Sequence, residues 1–446
     1  MGLIKENPNS QLKIAVIGSG ISGLSAAWLL NQKHSVTVYE ANDYIGGHTN
    51  TIEIVDNGQM VAVDTGFIVY NEPAYPNLTR LFDHLGVETN ATEMSFSVSL
   101  AQGALEYAGN GLDRLFAQRG NFFSPRFWRM LNDVKRFYAQ APVDAASGID
   151  MTLGDYLGRH RYSEAFADDH LYPMAAAIWS MSPSRVGDYP FVPFVNFCVN
   201  HGLLLFRNRP LWRTVRGGSR EYVKKITEHF SNAIRPGDRV DRIERHEDIV
   251  KIKSRSGWET YDHVVISSHA DQTLEMLADA DKEERDLLGR FDYTKNITFL
   301  HSDPALMPKA KKVWSSWNYL TETKGDESRL TVTYWMNSLQ KLDTQGQIFV
   351  SLNPFMQPRA DTVYKQIIYH HPIFNQSTLV AQKKLWSLQG RRRTWFCGSY
   401  FGYGFHEDGL QSGLAVAERL SGLRRPWEVP DESGRIVVST LETGRS

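Results

Sequence analysis

The sequence predicts an α/β fold in which a parallel sheet is interrupted by a long α+β insertion, and three stretches carry that prediction. Ile14-Ala15-Val16-Ile17 is a short apolar run suited to a buried strand. It is followed by Gly18, Gly20 and Gly23 in G-x-G-x-x-G spacing and then by a helical segment through Ala26, Ala27, Trp28, Leu29 and Leu30. A second β-branched strand, Val36 to Tyr39, comes after a turn at Asn31 to Ser35. Far downstream, His263 to Ser268 reads as another buried strand. Arg393 to Gly413 reads as strand, glycine loop and the approach to a helix over Leu414 to Leu420.

The first stretch, Gly18-Ser19-Gly20-Ile21-Ser22-Gly23, is a phosphate cradle. Gly18 permits the tight turn, Gly20 lets a diphosphate approach the backbone, and Gly23 lets the helix pack on the strand. The helix N-terminus adds free N–H donors and the positive end of a dipole. Glu40 ends the second strand about twenty residues on, where a carboxylate accepts hydrogen bonds from ribose hydroxyls and repels a 2′-phosphate. These features together predict a Rossmann-like unit that binds a dinucleotide with an unphosphorylated adenosine.

At 446 residues the chain is too long for one simple core. Balanced charge, with 49 Lys and Arg against 50 Asp and Glu, argues against nucleic acid as a partner. Cys198 and Cys397 are far apart, which excludes a disulfide framework and a thiolate metal cluster and fits a reducing cytoplasm. No metal site is expected. No apolar run reaches bilayer-spanning length, so the chain reads as cytoplasmic, with contact at the inner membrane surface as a further option. Met1 to Gln11 and the segment after Pro430 read as loosely ordered ends.

Composition shifts set the expected domains. Residues 11–72, 206–290 and 388–426 form a discontinuous cofactor domain, 73–205 and 291–387 a substrate domain, and 427–446 a tail. Thr51 to Val63 alternates as a hairpin around Asp56-Asn57-Gly58, and Val240 to Ile252 is another hairpin. In the substrate domain, Phe127, Met130, Leu131, Val134, Phe137 and Tyr138 form one helical stripe with Arg126, Arg129, Lys135 and Arg136 at its margins. Such a helix faces a core or lies in a membrane interface, and both readings stay open. Leu203 to Phe206 with Arg207, Arg209 and Arg213 is a second patch of the same kind. If the two share one surface, the site is fed from lipid. Met174, Ile178, Trp179 and Met181 line either a tunnel or a core. Residues 313–319 and 331–337 alternate aromatic and small side chains as a sheet, whose Trp317, Tyr319 and Trp335 suit the floor of an apolar pocket. His301 with Asp303 is either an acid–base pair or a turn cap.

At Ile45-Gly46-Gly47-His48 the chain resembles the flavin-containing amine oxidase and phytoene desaturase superfamily, with His48 where a Gly-Gly-Arg arginine usually stands. The resemblance implies non-covalent FAD and an amine oxidase-like pair of domains. In it, Gly46, Gly47 and His48 meet the diphosphate, Thr65 and Gly66 pass the flavin ring, and main chain near Val240 meets the adenine. Gly398 and Ser399 approach the ribityl chain, although an acid is usual at the latter position. Amides of Asp408, Gly409 and Leu410 face flavin N1 and O2, and Lys295 matches loosely a lysine that holds a water near N5. Trp-Ser-Ser-Trp-Asn-Tyr at 314–319 and Gly-Phe-His-Glu-Asp-Gly at 404–409 resemble one bacterial flavoprotein family whose genes lie beside cyclopropane-fatty-acyl-phospholipid synthase-like methyltransferases. That likeness implies dehydrogenation of a methylated, unsaturated acyl chain on the route to furan fatty acids, with His301 and His406 as candidate bases. A double-bond isomerase, an amine oxidase and a non-catalytic FAD-bound partner of the methyltransferase are the alternatives.

Overall fold

The computed structural model describes residues 11–179, 183–324 and 327–438. Met181, one of the four residues assigned to a tunnel or core, lies outside them. Strand Lys13–Ile17 is buried in four of its five residues because it sits at the centre of a five-stranded sheet. Ser35–Tyr39 and His263–Ile266 flank it in parallel register, and Ile234–Arg235 and Thr394–Phe396 form the edges. A parallel neighbour needs a crossover, so the chain leaves this sheet and returns to it from distant parts of the sequence.

The excursions build a seven-stranded sheet. Its spatial order is Val363–Pro372, Tyr293–His301, Phe349–Leu352, Glu327–Trp335, Trp317–Lys324, Phe96–Leu100 and Leu105–Ala108. All pairings are antiparallel except that of Trp317–Lys324 with Phe96–Leu100. Register decides which aromatics share a face. Trp317 lies opposite Tyr334, ring on ring edge at 5.4 Å, while the next residue, Trp335, points the other way against Trp314 at 5.7 Å. Helix Pro125–Ala146 packs on helices Glu164–Phe166 and Phe191–Asn200 and is capped by Ser124, which accepts from the Phe127 amide; it buries Phe127, Met130, Val134 and Phe137.

Two expectations about the C-terminal part need correction. The last helix spans His406–Ser421 instead of beginning at Leu414, so Gly409 and Gly413 are helical. Both read as loop residues, yet a Cβ on Gly413 would lie 2.2 Å from the Ser22 carbonyl oxygen, and one on Gly409 2.8 Å from Ser22 Oγ. They are glycines because the first and last helices touch there. The segment after Pro430 is not loose as far as it is described. Ile436 is buried, Arg435 reaches the Ala74 carbonyl and sits 3.4 Å from the Asp408 carboxylate, and upstream Trp427 stacks on Trp28 at 5.8 Å. Glu407, next to Asp408, accepts from the Asn77 and Leu78 amides at the start of helix Pro76–Leu85.

Asp408 is wholly buried and burial pushes its carboxyl up to about 6, with Arg435 opposing that shift. Arg435→Met removes the partner of a buried charge, so urea unfolding at pH 8 is expected to show a loss of about 3–5 kcal/mol. The loss should shrink below pH 6, where the carboxyl takes up a proton. An unchanged midpoint at pH 8 would contradict this account.

Candidate active site

The glycine-rich turn is built for something absent from the chain itself. Gly18 has φ +101°, and a Cβ there would meet Ser267 Oγ at 2.9 Å. Gly23 would place one 2.0 Å from the Gly18 carbonyl oxygen. Both positions are closed by the fold. Gly20 is different: a Cβ there meets nothing within 4 Å, and the residue lines the cleft. The space beside it is therefore left for a ligand. Gly20 is also the N-cap of helix Ile21–Leu30 and offers no side-chain cap, so the first amides of the helix are available to an anion. The second glycine turn abuts the first, because Gly46 N–H donates to Ser19 O at 3.0 Å and a Cβ on Gly47 would lie 3.1 Å from Gly20 Cα.

Glu40 stands at the end of the adjacent strand and is 6% exposed. Its Oε2 accepts from Ser19 N–H and Oγ–H at 3.0 and 2.6 Å, and its Oε1 from the Asn42 amide and side chain at 2.8 and 2.9 Å. All of its usual acceptor sites are taken, so a ribose hydroxyl binds here by displacing the Ser19 hydroxyl or the Asn42 side chain. The sequence did not point to Asn42; an amide two residues beyond the acid was the only clue. Val240 lies on the same wall.

From this polar end a single cleft of about 1080 Å³ continues past His48, Thr65, Gly66, Gly398 and Ser399 to an aromatic end. There Trp317 and Tyr334 form one wall, and Met174, Ile178, Trp179 and Phe197 another. Such a shape accommodates an extended dinucleotide along one half and an apolar substrate in the other.

A family profile described as an NAD(P)-binding Rossmann-like domain matches residues 16–85. Over 168 residues the chain is 31% identical to the flavin-containing amine oxidase A of Sus scrofa, a stretch covering 34% of this chain and 29% of that protein. In fold, cyclohexylamine oxidase from Brevibacterium oxydans IH-35A is similar at TM-score 0.66 and 17% identity, covering 93% of this chain and 99% of that one. The CLA-producing fatty acid isomerase from P. acnes is similar at TM-score 0.66 and 14% identity, with the same two coverages. In part of its sequence and in its fold the chain is similar to flavin-containing amine oxidases. The matched stretches span less than half the length of these curated relatives.

Within this fold the cleft walls carry a set of imidazoles that mostly leave no mark in the sequence. The His406 ring stacks on Phe67 at 3.8 Å, and its Nε2 lies 3.0 Å from Thr49 Oγ1 and 2.9 Å from the Tyr222 hydroxyl. His48 stacks on Tyr369 at 4.9 Å, and its Nε2 is buried with no partner among the described residues. His201 donates from Nδ1 to the Phe197 carbonyl at 2.9 Å, so its Nε2, also buried and unpartnered, presents a bare lone pair. His170 lies between the Tyr107 and Tyr138 hydroxyls at 3.1 and 3.2 Å. Isolated histidines at the ends of unrelated elements leave no spacing signal, and only the fold gathers them.

Several sequence candidates stand elsewhere. His301 is fully buried inside the seven-stranded sheet and off the cleft wall; its Nε2 lies 2.8 Å from Ser351 Oγ and its Nδ1 accepts from the Asp303 amide at 3.1 Å. Asp303 in turn accepts from Ala305 and Arg359 amides, so the pair caps a turn. Lys295 is exposed and off the wall. Tyr319 and Trp335 share the sheet with Trp317 without reaching the cleft, the first because its ring is sealed in the core and the second because it faces the opposite side. Trp179 does reach the cleft. Asp408, Gly409 and Leu410 are buried behind the wall formed by Tyr403 to His406.

Burial holds His48, His170, His201, His269, His371 and His406 below their ordinary value, each to about 3 or about 4. The folded protein thus keeps neutral imidazoles that the unfolded chain protonates below about pH 6.5. Between pH 6.5 and 4 the unfolded state binds more protons, so stability falls as the pH drops through that window. Asp64 and Asp408, raised to about 6, act in the opposite sense but are outnumbered. Thermal unfolding is expected to be nearly flat above pH 7 and to fall steeply below 6; a flat profile down to pH 5 would show these rings to be solvated.

Proposed function

We propose that the chain is a FAD-dependent oxidoreductase that dehydrogenates an unsaturated or methylated fatty acyl chain of a phospholipid. The observation that carries the reading is the division of charge along the cleft. The carboxylates on its wall, Glu40, Asp241 and Glu275, belong to the end around Val240: Asp241 follows Val240, and Glu275 lies on the helix Ala270–Met276 packed against strand Val240–Arg245. The aromatic end has none, and the cation there is Arg209. An ammonium substrate would find no countercharge in that half, whereas an acyl chain finds apolar walls and its headgroup a guanidinium. The fold alone does not choose, since an amine oxidase and a fatty acid isomerase share it.

The residues present fit FAD: an open face at Gly20, uncapped helix amides, and Glu40 rather than a basic group at the ribose position. When bound, FAD supplies the two-electron oxidant for removing hydrogen from a carbon made reactive by an adjacent double bond. The protein's part is to orient the chain, exclude water and receive a proton. An unprotonated imidazole on the cleft wall can take the last role, and His406, His48 and His201 stand there unprotonated, with burial lowering their basicity until a bound chain changes their surroundings. At His406 the Thr49 and Tyr222 hydroxyls hold Nε2, so Nδ1 is the edge left for substrate.

The reading is tested by mixing FAD-loaded protein, without oxygen, with phospholipids carrying saturated, monounsaturated or methyl-branched unsaturated chains, and separately with cyclohexylamine and benzylamine, while following flavin absorbance. Bleaching by an unsaturated phospholipid and not by the amines is expected. Ile178→Arg, which puts a cation in the apolar end, should slow that bleaching roughly tenfold or more with flavin still bound. Bleaching by amines alone overturns the acyl reading in favour of an amine oxidase. Bleaching by none overturns it in favour of a non-catalytic flavoprotein, such as a partner of a lipid methyltransferase.

A further inference from the structure

We propose that the mouth of the cleft docks on the surface of an anionic phospholipid bilayer, through a strip made by residues 122–138 and 205–211. For its purpose this rests on the acyl-lipid reading above.

Helix Pro125–Ala146 has already spent one apolar face on the core, through Phe127, Met130, Val134 and Phe137. A second row, Trp128, Leu131, Lys135 and Tyr138, lies within about a quarter turn of itself at 100° per residue; Leu131 and Tyr138 are partly buried against the core, and Trp128 and Lys135 are exposed beside them. At its start Phe122, Phe123 and Trp128 are 55%, 83% and 46% exposed and pack on one another, with ring centroids 5.4 Å apart for Phe122 and Phe123 and 5.9 Å for Phe122 and Trp128. About 15 Å further along the helix, Tyr138 packs at 5.0 Å on Phe206, which is itself mostly exposed and flanked by exposed Leu205 and Leu211. The two sequence patches therefore share one face. Large aromatic side chains concentrated on an exposed strip mark an interaction site.

The charges around the strip say what covers it. Arg126 is held bidentately by Asp169 at 2.8 and 3.0 Å, Arg136 pairs with Asp133, and Arg213 with Glu72, so none of these is free for a ligand. Arg129, Lys135, Arg207 and Arg209, in contrast, pair with no carboxylate among the described residues. Unpaired cations rimming exposed aromatics match a bilayer of anionic headgroups over acyl chains. A second copy of the same strip would set arginine against arginine. The strip is also continuous with the site, because Tyr138, Gly202, Leu203, Arg209 and Trp212 line the cleft. An acyl chain leaving the bilayer there enters without crossing water.

Flotation of the full FAD-loaded chain with vesicles tests this. Recovery with phosphatidylcholine–phosphatidylglycerol vesicles, reduced by salt and absent with phosphatidylcholine alone, is expected. Each cation near an anionic surface strengthens binding about fivefold, so Arg207→Glu should weaken it by roughly tenfold or more. The double variant Phe123→Ser/Phe206→Ser should stay unbound, while Trp258→Ser, an exposed tryptophan on strand Gly257–Tyr261, should float like wild type. All variants should keep their flavin and their bleaching by lipid dispersed in detergent, which separates loss of docking from failure of the acyl reading. Wild type that ignores anionic vesicles, strip variants that float normally, or a lipid-free dimer abolished by the same variants would each overturn the proposal.

Discussion

The contact between the first and last helices sets the geometry of everything else. Helix Ile21–Leu30 and helix His406–Ser421 approach until backbone meets backbone, with Gly413 against the Ser22 carbonyl and Gly409 against Ser22 and Ile21. No side chain fits between them. The start of the first helix therefore always faces the same space as Gly398 and Ser399, which precede the last. A ligand gripped at Gly20 is thereby aimed along the wall of Tyr403 to His406. The segments between these helices are free to elaborate, because the two ends are already fixed against each other.

The second constraint is electrostatic. The interior holds acids and imidazoles at high density, and burial decides their state. Asp64, fully buried, accepts from Thr51, from the Ser219 amide and hydroxyl and from Gln340, tying the hairpin Thr51–Asp64 to two distant segments. Asp408 is held by Arg435 from the C-terminal segment, and Glu407 caps a helix. Where acids are paired in this way they serve architecture. The cleft imidazoles have few such partners, and burial holds them neutral. Among the described residues no helix is long and apolar enough to cross a membrane.

The chain itself determined the local phosphate cradle and the order of its strands. Gly18, Gly20 and Gly23 at fixed spacing, an apolar strand before them and Glu40 after them are a local pattern, and local patterns survive in sequence because neighbouring residues build them. The hairpin at Asp56-Asn57-Gly58 is legible for the same reason, Asn57 and Gly58 both taking positive φ. His406, to which its motif points, stands on the cleft wall; His301, beside the equally suggestive Asp303, caps a turn instead.

What only tertiary structure decided is which face each residue presents and to what. Trp317 and Trp335 read alike in sequence, but strand register turns one to the cleft and the other away. Gly409 and Gly413 read as a loop until a second helix, nearly four hundred residues distant, supplies the reason for the missing side chains. His48, His201 and His406 become one group solely through packing, and the aromatic patches at 122–138 and 205–211 become one strip because Phe206 lands on Tyr138. Spacing along a chain records neighbours within a helix or strand; it holds no measure of distance between elements, and the cleft is made of such distances.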